Sequence, residues 1–133
     1  MNTMRTDKVN AYRLSDQQTV DVDGYYLKKH RFVKVDQSAA LENSIVYTAD
    51  GDAFEGVTIC NVKEKTGEHL DQAITETIVS VMVEGIANVE ASAAITRGQE
   101  IGPDADGKAK PAAGTGYVAL NDALAGEFVS FKL

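Results

Sequence analysis

The chain has 133 residues, of which 44% are hydrophobic and 25% charged, and its formal net charge is −7 at pH 7. This length and composition fit one globular domain that needs neither a disulfide nor a metal ion to be stable. The negative charge argues against nucleic acid and anionic membranes as partners, since both are dense polyanions. No run approaches the roughly 18 apolar residues of a membrane span, so we expect folding in the cytoplasm of the cell that makes the chain.

Residues 1–28 contain a few apolar residues among many polar ones, which are too few to form a separate hydrophobic core. We expect this segment to be an N-terminal arm that contacts a partner, outside a single β domain at residues 29–133. The alternative is a first strand that follows a frayed terminus. The candidate partner contacts on the arm are Tyr12, Leu14, Val20, Val22, Tyr25 and Tyr26.

The rest of the chain contains an internal duplication. Four blocks recur in the same order, and the length differences between the copies fall in polar, Gly-rich or Pro-bearing stretches, where loops tolerate insertion. We therefore predict two copies of one β unit, at about residues 33–83 and 87–133. The matched blocks are VDQSAAL with VEASAAI, IVYTADGDA with IGPDADGKA, GVTICN with GYVALN, and IVSVMV with FVSFKL.

Each copy has the pattern of short strands joined by turns, which predicts a mainly β fold, a small barrel or sandwich with at most one short helix near residues 68–74. The run at 75–89, TETIVSVMVEGIANV, is rich in β-branched residues and favours a strand, within which Gly85 indicates a bend or bulge. Alternate residues of this run form one apolar face, and the repeat assigns the same role to the chain's end. The predicted core residues are Val79, Val81, Val83, Ala87, Val89, Val129, Phe131 and Leu133.

The opposite face of the same run carries an intermittent apolar stripe formed by Ile78, Met82 and Ile86. Exposed apolar side chains at this spacing need a cover, and the sequence leaves two alternatives. Either the N-terminal segment packs over the stripe, or another subunit does. In the second case Ile78, Met82 and Ile86 are subunit contacts.

The stretch PDADGKA at 103–109 combines an Asp-Gly turn with a lysine and raises two chemical alternatives. A calcium loop needs a denser set of oxygen ligands that ends in glutamate, but here lysines follow. Duplicated β halves with a turn lysine also resemble biotinyl and lipoyl carrier domains, which would place a cofactor on Lys108, yet the residues that flank the carrier lysine are missing. Because the first copy has a twin turn, ADGDA, a purely structural turn accounts for the motif.

No other motif indicates chemistry. Cys60 is the only cysteine, and His30 and His69 belong to no metal-spaced pair and to no Ser/His/Asp arrangement. Walker, dinucleotide-binding and nucleophile-elbow motifs are also missing from the sequence. The sequence therefore predicts no catalytic residue, no metal site and no cofactor, as expected of a protein that is not an enzyme.

Four elements follow one another in the last part of the chain, from Ala87 to Leu133. They are an I-x-x-G-x-x-I link at 95–101, an Asp-Gly-Lys-Ala turn at 106–109, a Gly-Tyr-Val-Ala-Leu strand at 116–120 and an Asn-Asp-Ala link into the last strand at 121–129. This series resembles the small head decoration, or capsid stabilising, proteins of tailed bacteriophages. The first copy resembles them more loosely.

The resemblance implies a β-rich protein without catalysis or cofactor that binds the outer surface of an assembled capsid and stabilises it. Its partners would then be the major capsid protein and, as a homotrimer, further copies of itself, and its location would be the virion. The N-terminal segment lies outside the matched region, so a capsid contact there is an inference from composition. The alternative is a structural β domain of another phage assembly, such as a tail or fibre.

Overall fold

The computed structural model describes residues 7–64 and 77–133, which form a mainly β protein with eleven short strands and no helix in these two ranges. This confirms the predicted fold class. The helix predicted near residues 68–74 lies outside the described residues. The strands are β1 (Lys8–Leu14), β2 (Tyr25–Leu27), β3 (Phe32–Val35), β4 (Ser44–Tyr47), β5 (Gly56–Thr58), β6 (Val62–Lys63), β7 (Ile78–Glu84), β8 (Ile86–Glu90), β9 (Ile101–Pro103), β10 (Ala109–Pro111) and β11 (Phe128–Lys132).

Five strands close into a barrel in the order β1-β4-β3-β5-β7, and β7 pairs back onto β1. The strands are antiparallel except for β1 and β4, which run parallel. Every second side chain along a strand points inward, so the alternating pattern builds a buried interior. The barrel core, to which the β2–β6 pair also contributes, consists of Tyr12, Leu14, Leu27, Val33, Ile45, Val62, Val79 and Val81.

The C-terminal half is built from two antiparallel pairs, β8 with β11 and β9 with β10, together with isolated bridges. Small residues predominate in its core, and the aromatic rings of Phe32, Phe54, Tyr117 and Phe131 fill the centre. The C-terminal core consists of Phe32, Val57, Ala87, Val89, Ala91, Ile95, Ile101, Ala109, Ala119, Ala123, Val129 and Phe131.

Strand β3 belongs to both cores, because consecutive side chains on a strand point to opposite faces. Val33 packs inside the barrel, whereas Phe32 points out into the C-terminal core, with its ring centroid 5.4 Å from that of Phe131. Burial of a phenylalanine side chain stabilises the fold by roughly 1.5–3 kcal/mol. The C-terminal half therefore covers part of the outer wall of the barrel and is held there by side chains of the barrel strands themselves.

The alternation predicted along β7 and β8 is confirmed. The predicted core side chains are fully or nearly fully buried except for Val83 and Leu133, which are half-buried against the two cores. Gly85 separates the two strands at φ 110°, and a Cβ at this position would lie 2.1 Å from a carboxylate oxygen of Asp7. The positive φ, which side chains of L-residues rarely adopt, favours glycine where the chain bends from the barrel into the C-terminal half, as the sequence had indicated.

The N-terminal segment corrects the predicted domain boundary. Residues 8–14 form strand β1, which lies between β4 and β7 and closes the barrel. The described part of the segment is therefore no arm, and the β domain begins by Lys8 rather than at residue 29. For residues 7–28 the alternative interpretation, a first strand of the domain, is the correct one. Tyr12 and Leu14 alternate with polar residues along this strand and fill the barrel interior.

Strands of the two predicted copies occur at matching positions, but they pair differently. Strands β3, β4 and β7 of the first copy align with β8, β9 and β11 of the second. In the first copy β5 lies between β3 and β7, whereas β8 and β11 pair directly. The duplication therefore stays a prediction from the sequence.

Candidate interaction surface

Two of the six predicted partner contacts are in the core. Leu14 is completely buried, and Tyr12 is 8% exposed, with its hydroxyl donating a 2.7 Å hydrogen bond to a carboxylate oxygen of Glu55. Burial, together with the neighbouring Glu55 carboxylate, raises the pKa of Tyr12 above its ordinary value of 10.0. Neither side chain can contact a partner unless the barrel opens, which corrects the prediction for these two residues.

The other four partner candidates lie at or near the surface. A tight turn at residues 21–24 holds Val22 fully exposed, because the Asp21 carboxylate accepts hydrogen bonds from the N–H groups of Asp23 and Tyr25 at 2.9 and 3.0 Å. Although partial burial opposes it, these hydrogen bonds hold the pKa of Asp21 below its usual range. Val20, Tyr25 and Tyr26 are half-buried. A partner role for these four residues stays a prediction.

The predicted stripe on β7 and β8 is divided between two environments. Met82 is half-buried and packs against the C-terminal core, so part of the same molecule covers it. Ile78 and Ile86 remain 61% and 39% exposed. Met82 packs against the cluster that Phe32 and Val57 of the barrel share with the C-terminal half, while the two isoleucines stay accessible.

The Asp-Gly turn of the second copy packs against the barrel through its buried glycine, Gly107. The Asp104 carboxylate accepts hydrogen bonds from the N–H groups of Asp106 and Lys108 at 2.9 and 2.8 Å. Gly107 adopts φ 73°, and its carbonyl accepts a 2.6 Å hydrogen bond from the N–H of Phe32 on β3. Both the turn and its glycine are thus explained by the docking of one half of the molecule on the other.

Lys108, the candidate carrier lysine, lies in a small ionic cluster. Its ammonium is 3.2 Å from Glu90, and the same carboxylate oxygen is 3.3 Å from the guanidinium of Arg31. The Arg31 side chain is only 9% exposed and also donates a 3.2 Å hydrogen bond to the carbonyl of Asp106. The sequence analysis did not identify Arg31 as a functional or structural residue. The available signal was a base directly before the apolar strand residues Phe32 and Val33, which indicates a charge close to the core. The cluster joins the turn, β3 and β8.

The histidine of the described chain has an aromatic environment rather than a metal-binding one. The His30 ring lies 4.8 Å from the Phe128 ring in an edge-on arrangement, and the residue has a positive φ of 65°. Burial and the neighbouring Lys29 lower the pKa of His30 below 6.5. Residues 7–64 and 77–133 contain no group of three or more His, Cys, Asp and Glu residues that could hold a metal ion. His69 lies outside these ranges.

Several large apolar side chains are exposed on the described surface. They belong to strands, turns and links of both halves, and their exposed fractions range from 39% to 102%. No helix in the described residues is long and apolar enough to cross a membrane. The exposed apolar residues are Val9, Val22, Leu41, Ile59, Ile78, Ile86, Val118, Leu120, Leu124 and Phe128.

Comparisons with known proteins find similarity in structure only. No family model matches the chain, and no curated protein matches it either. Its fold is similar to that in the crystal structure of the N base of head fiber gp8.5 of bacteriophage phi29, with a TM-score of 0.67. The match covers 96% of this chain and 94% of that chain at 16% sequence identity. At this identity the likeness shows that the two chains share a fold.

Proposed function

We propose that the chain is a structural protein of a phage head, specifically a decoration protein that binds the outer surface of the assembled shell and stabilises it. The observation that carries the proposal is the match over nearly the whole of both chains to the base of a phage head fiber. The resemblance of residues 87–133 to head decoration proteins supports it independently, because it rests on sequence motifs rather than on the fold.

The physical properties of the chain suit this role. A protein that binds only the finished shell stabilises that shell by mass action, without holding an earlier form of it. A net charge of −7 keeps free subunits apart in solution and gives them no affinity for packaged DNA. Many identical sites on a shell, or a trimeric subunit, let each single contact be modest.

Co-sedimentation with shells tests the proposal. Purified protein is mixed with mature and with immature shells of the phage that encodes the chain, and the bound fraction is measured against protein concentration. Saturable binding to mature shells, with one or a few copies per lattice position, is the expected result. If neither shell binds the protein, the proposed function is wrong.

A fibre base is the second candidate, and the head fiber to which the fold is similar favours it. The two roles differ in the number of copies per virion and in their positions on the shell, because a decoration protein covers the lattice whereas a fibre base occupies selected sites. Counting copies per virion by quantitative mass spectrometry, and locating them by electron cryomicroscopy, separates the two.

The intact mass of the protein tests the carrier alternative, since a cofactor on Lys108 would add to it. Sedimentation velocity tests the proposed trimer.

A further inference from the structure

A line of exposed apolar side chains crosses both halves of the molecule, with the half-buried His30 between its barrel part and its C-terminal part. We name it the apolar belt and define it by Ile78, Ile59, His30, Phe128 and Leu120. Four of these are large aliphatic or aromatic residues, and their exposed fractions are 61% for Ile78, 40% for Ile59, 49% for Phe128 and 46% for Leu120. Single exposed apolar residues are ordinary, but a contiguous group of them marks an interaction surface.

Strand register brings the barrel part of the belt together. The ladder that pairs Thr58 with Val81 continues to Ile59, whose N–H donates a 3.3 Å hydrogen bond to the carbonyl of Ser80. Ile78 is two residues from Ser80 on the same face of β7, so it is the diagonal neighbour of Ile59. Diagonal cross-strand neighbours lie within about 7–8 Å, in reach of large side chains.

His30 links the barrel to the C-terminal half. Its N–H donates a 2.8 Å hydrogen bond to the carbonyl of Thr58, directly before Ile59, and its ring packs 4.8 Å from the ring of Phe128 on β11. Leu120 lies on the far side of β11, where its N–H donates a 2.8 Å hydrogen bond to the carbonyl of Ser130. Since Ala119 points into the C-terminal core, Leu120 points outward with Phe128.

The rim of the belt is basic. Arg13 pairs with Ile78 across the β1–β7 ladder, Lys29 precedes His30, and Lys132 follows Phe128 on the same face of β11. All three are exposed, and none forms an ion pair with any residue in 7–64 or 77–133. The exposed Glu127 carboxylate beside Phe128 accepts a 2.7 Å hydrogen bond from the N–H of Leu124 and keeps its negative charge, so the three bases outnumber this acid at the rim. On a chain of net charge −7, the belt is thus a local surface of free positive charge.

We propose that the apolar belt is the surface that docks on the phage shell, and that its site on the shell is apolar at the centre and acidic around it. This inference rests on the proposed function and adds the contact surface and the chemistry of the partner. Apolar anchors at the centre and complementary charges at the rim are the usual arrangement of a specific interface. A twofold contact between two belts would bring like charges together, which disfavours a second copy as the occupant.

Truncation of the belt's anchors tests the proposal with shells of the encoding phage as the probe. The double variant Ile78→Ser with Phe128→Ser is compared with the control Leu41→Ser with Leu124→Ser, which removes two exposed apolar side chains that belong neither to the belt nor to the predicted partner contacts. Val22→Ser is measured separately as a test of the N-terminal turn. We expect the belt variant to raise the Kd for mature shells about tenfold or more, as for interface anchors, and the control to change it less than about twofold. Urea unfolding verifies that both variants fold like the original chain.

A charge experiment tests the rim separately. Replacing Arg13, Lys29 and Lys132 by glutamine should weaken binding at low salt and flatten its salt dependence, because rim charges act mainly through long-range attraction. The control replaces the exposed bases Lys8, Lys63 and Arg97, which changes the net charge equally. Equal effects of the two triple variants would contradict a local rim and leave only a general effect of net charge.

The outcomes separate the inference from the function on which it rests. If the original chain binds no shell, both are wrong. If the original chain binds and the belt variant binds equally well, the belt is not the docking surface, while the proposed function stands. A loss of binding in Val22→Ser would then assign the contact to the N-terminal turn. If sedimentation velocity shows that the belt variant dissociates an oligomer of the original chain, the belt is a contact between copies and the proposal is overturned.

Discussion

Replacing Gly107 by alanine tests how the two halves are held together. The residue adopts φ 73°, and a Cβ there would lie 2.5 Å from the carbonyl oxygen of Phe32. The turn would have to move away from β3, which would break the 2.6 Å hydrogen bond from the Phe32 N–H to the Gly107 carbonyl. We expect about 1 kcal/mol from the left-handed backbone and about 1–3 kcal/mol from the lost buried hydrogen bond, in total about 2–4 kcal/mol of unfolding free energy.

The twin turn provides the matched control. Gly51 has nearly the same φ, 76°, but a Cβ added there would meet no atom within 4 Å beyond its own chain neighbours. Gly51→Ala should therefore cost only the backbone strain, about 1 kcal/mol. Urea unfolding followed by circular dichroism gives both free energies. Equal losses of unfolding free energy in the two variants would refute the inference that the turn at Gly107 docks on β3, because backbone strain alone would then explain the loss in Gly107→Ala.

Three further predictions concern the barrel, the ionic cluster and the histidine. Leu14→Ala should lower the unfolding free energy by about 2–5 kcal/mol because Leu14 is completely buried, whereas a value below about 0.5 kcal/mol, typical of surface sites, would restore the arm interpretation. Arg31→Ala should cost about 2–3 kcal/mol, since the cluster loses its most buried cation while Glu90 keeps Lys108; urea unfolding that shows no loss would contradict a structural role for the cluster. For His30 the folded pKa lies below the ordinary value of 6.5, so the unfolded chain binds more protons and stability falls as the pH drops below about 6.5. His30→Asn, which tolerates the positive φ, should reduce this dependence in melting curves between pH 7 and pH 5, and an unchanged dependence would assign it to other groups.

Local alternation predicted some parts of the fold correctly because those parts are governed by neighbouring residues. In β7 and β8 the β-branched residues at every second position lie in the cores, and Gly85 marks the bend. The role of β1 was not predictable in this way. Its pairing with β7 joins residues about 70 positions apart, as in Tyr12 with Val79, and polar neighbours such as Asn10 and Arg13 gave the segment the pattern of a solvated one.

The candidate surface was predicted less completely than the fold. Ile78 was found because it lies in a conspicuous apolar run, but Ile59, His30 and Phe128 come from three distant parts of the chain. They become neighbours only through the β5–β7 ladder and through packing of β11 against the barrel. Met82 had the same sequence signal as Ile78, yet it packs against the C-terminal core. A stripe on one strand therefore cannot distinguish a subunit contact from a contact inside the molecule.

The distribution of charge connects the fold with the proposed role. Buried or half-buried bases such as Arg31, Lys34 and Lys108 form ion pairs with carboxylates within the molecule, Arg31 and Lys108 sharing Glu90, so these bases act mainly on the fold itself. The bases along the apolar belt have no such partners in the described chain, and both halves carry them: Arg13 and Lys29 belong to the barrel half and Lys132 to the C-terminal half. A shell bound across this line would hold both halves at once. Docking would then stabilise the folded subunit as well as the shell, because a ligand that binds only the folded state adds its binding free energy to the stability of that state.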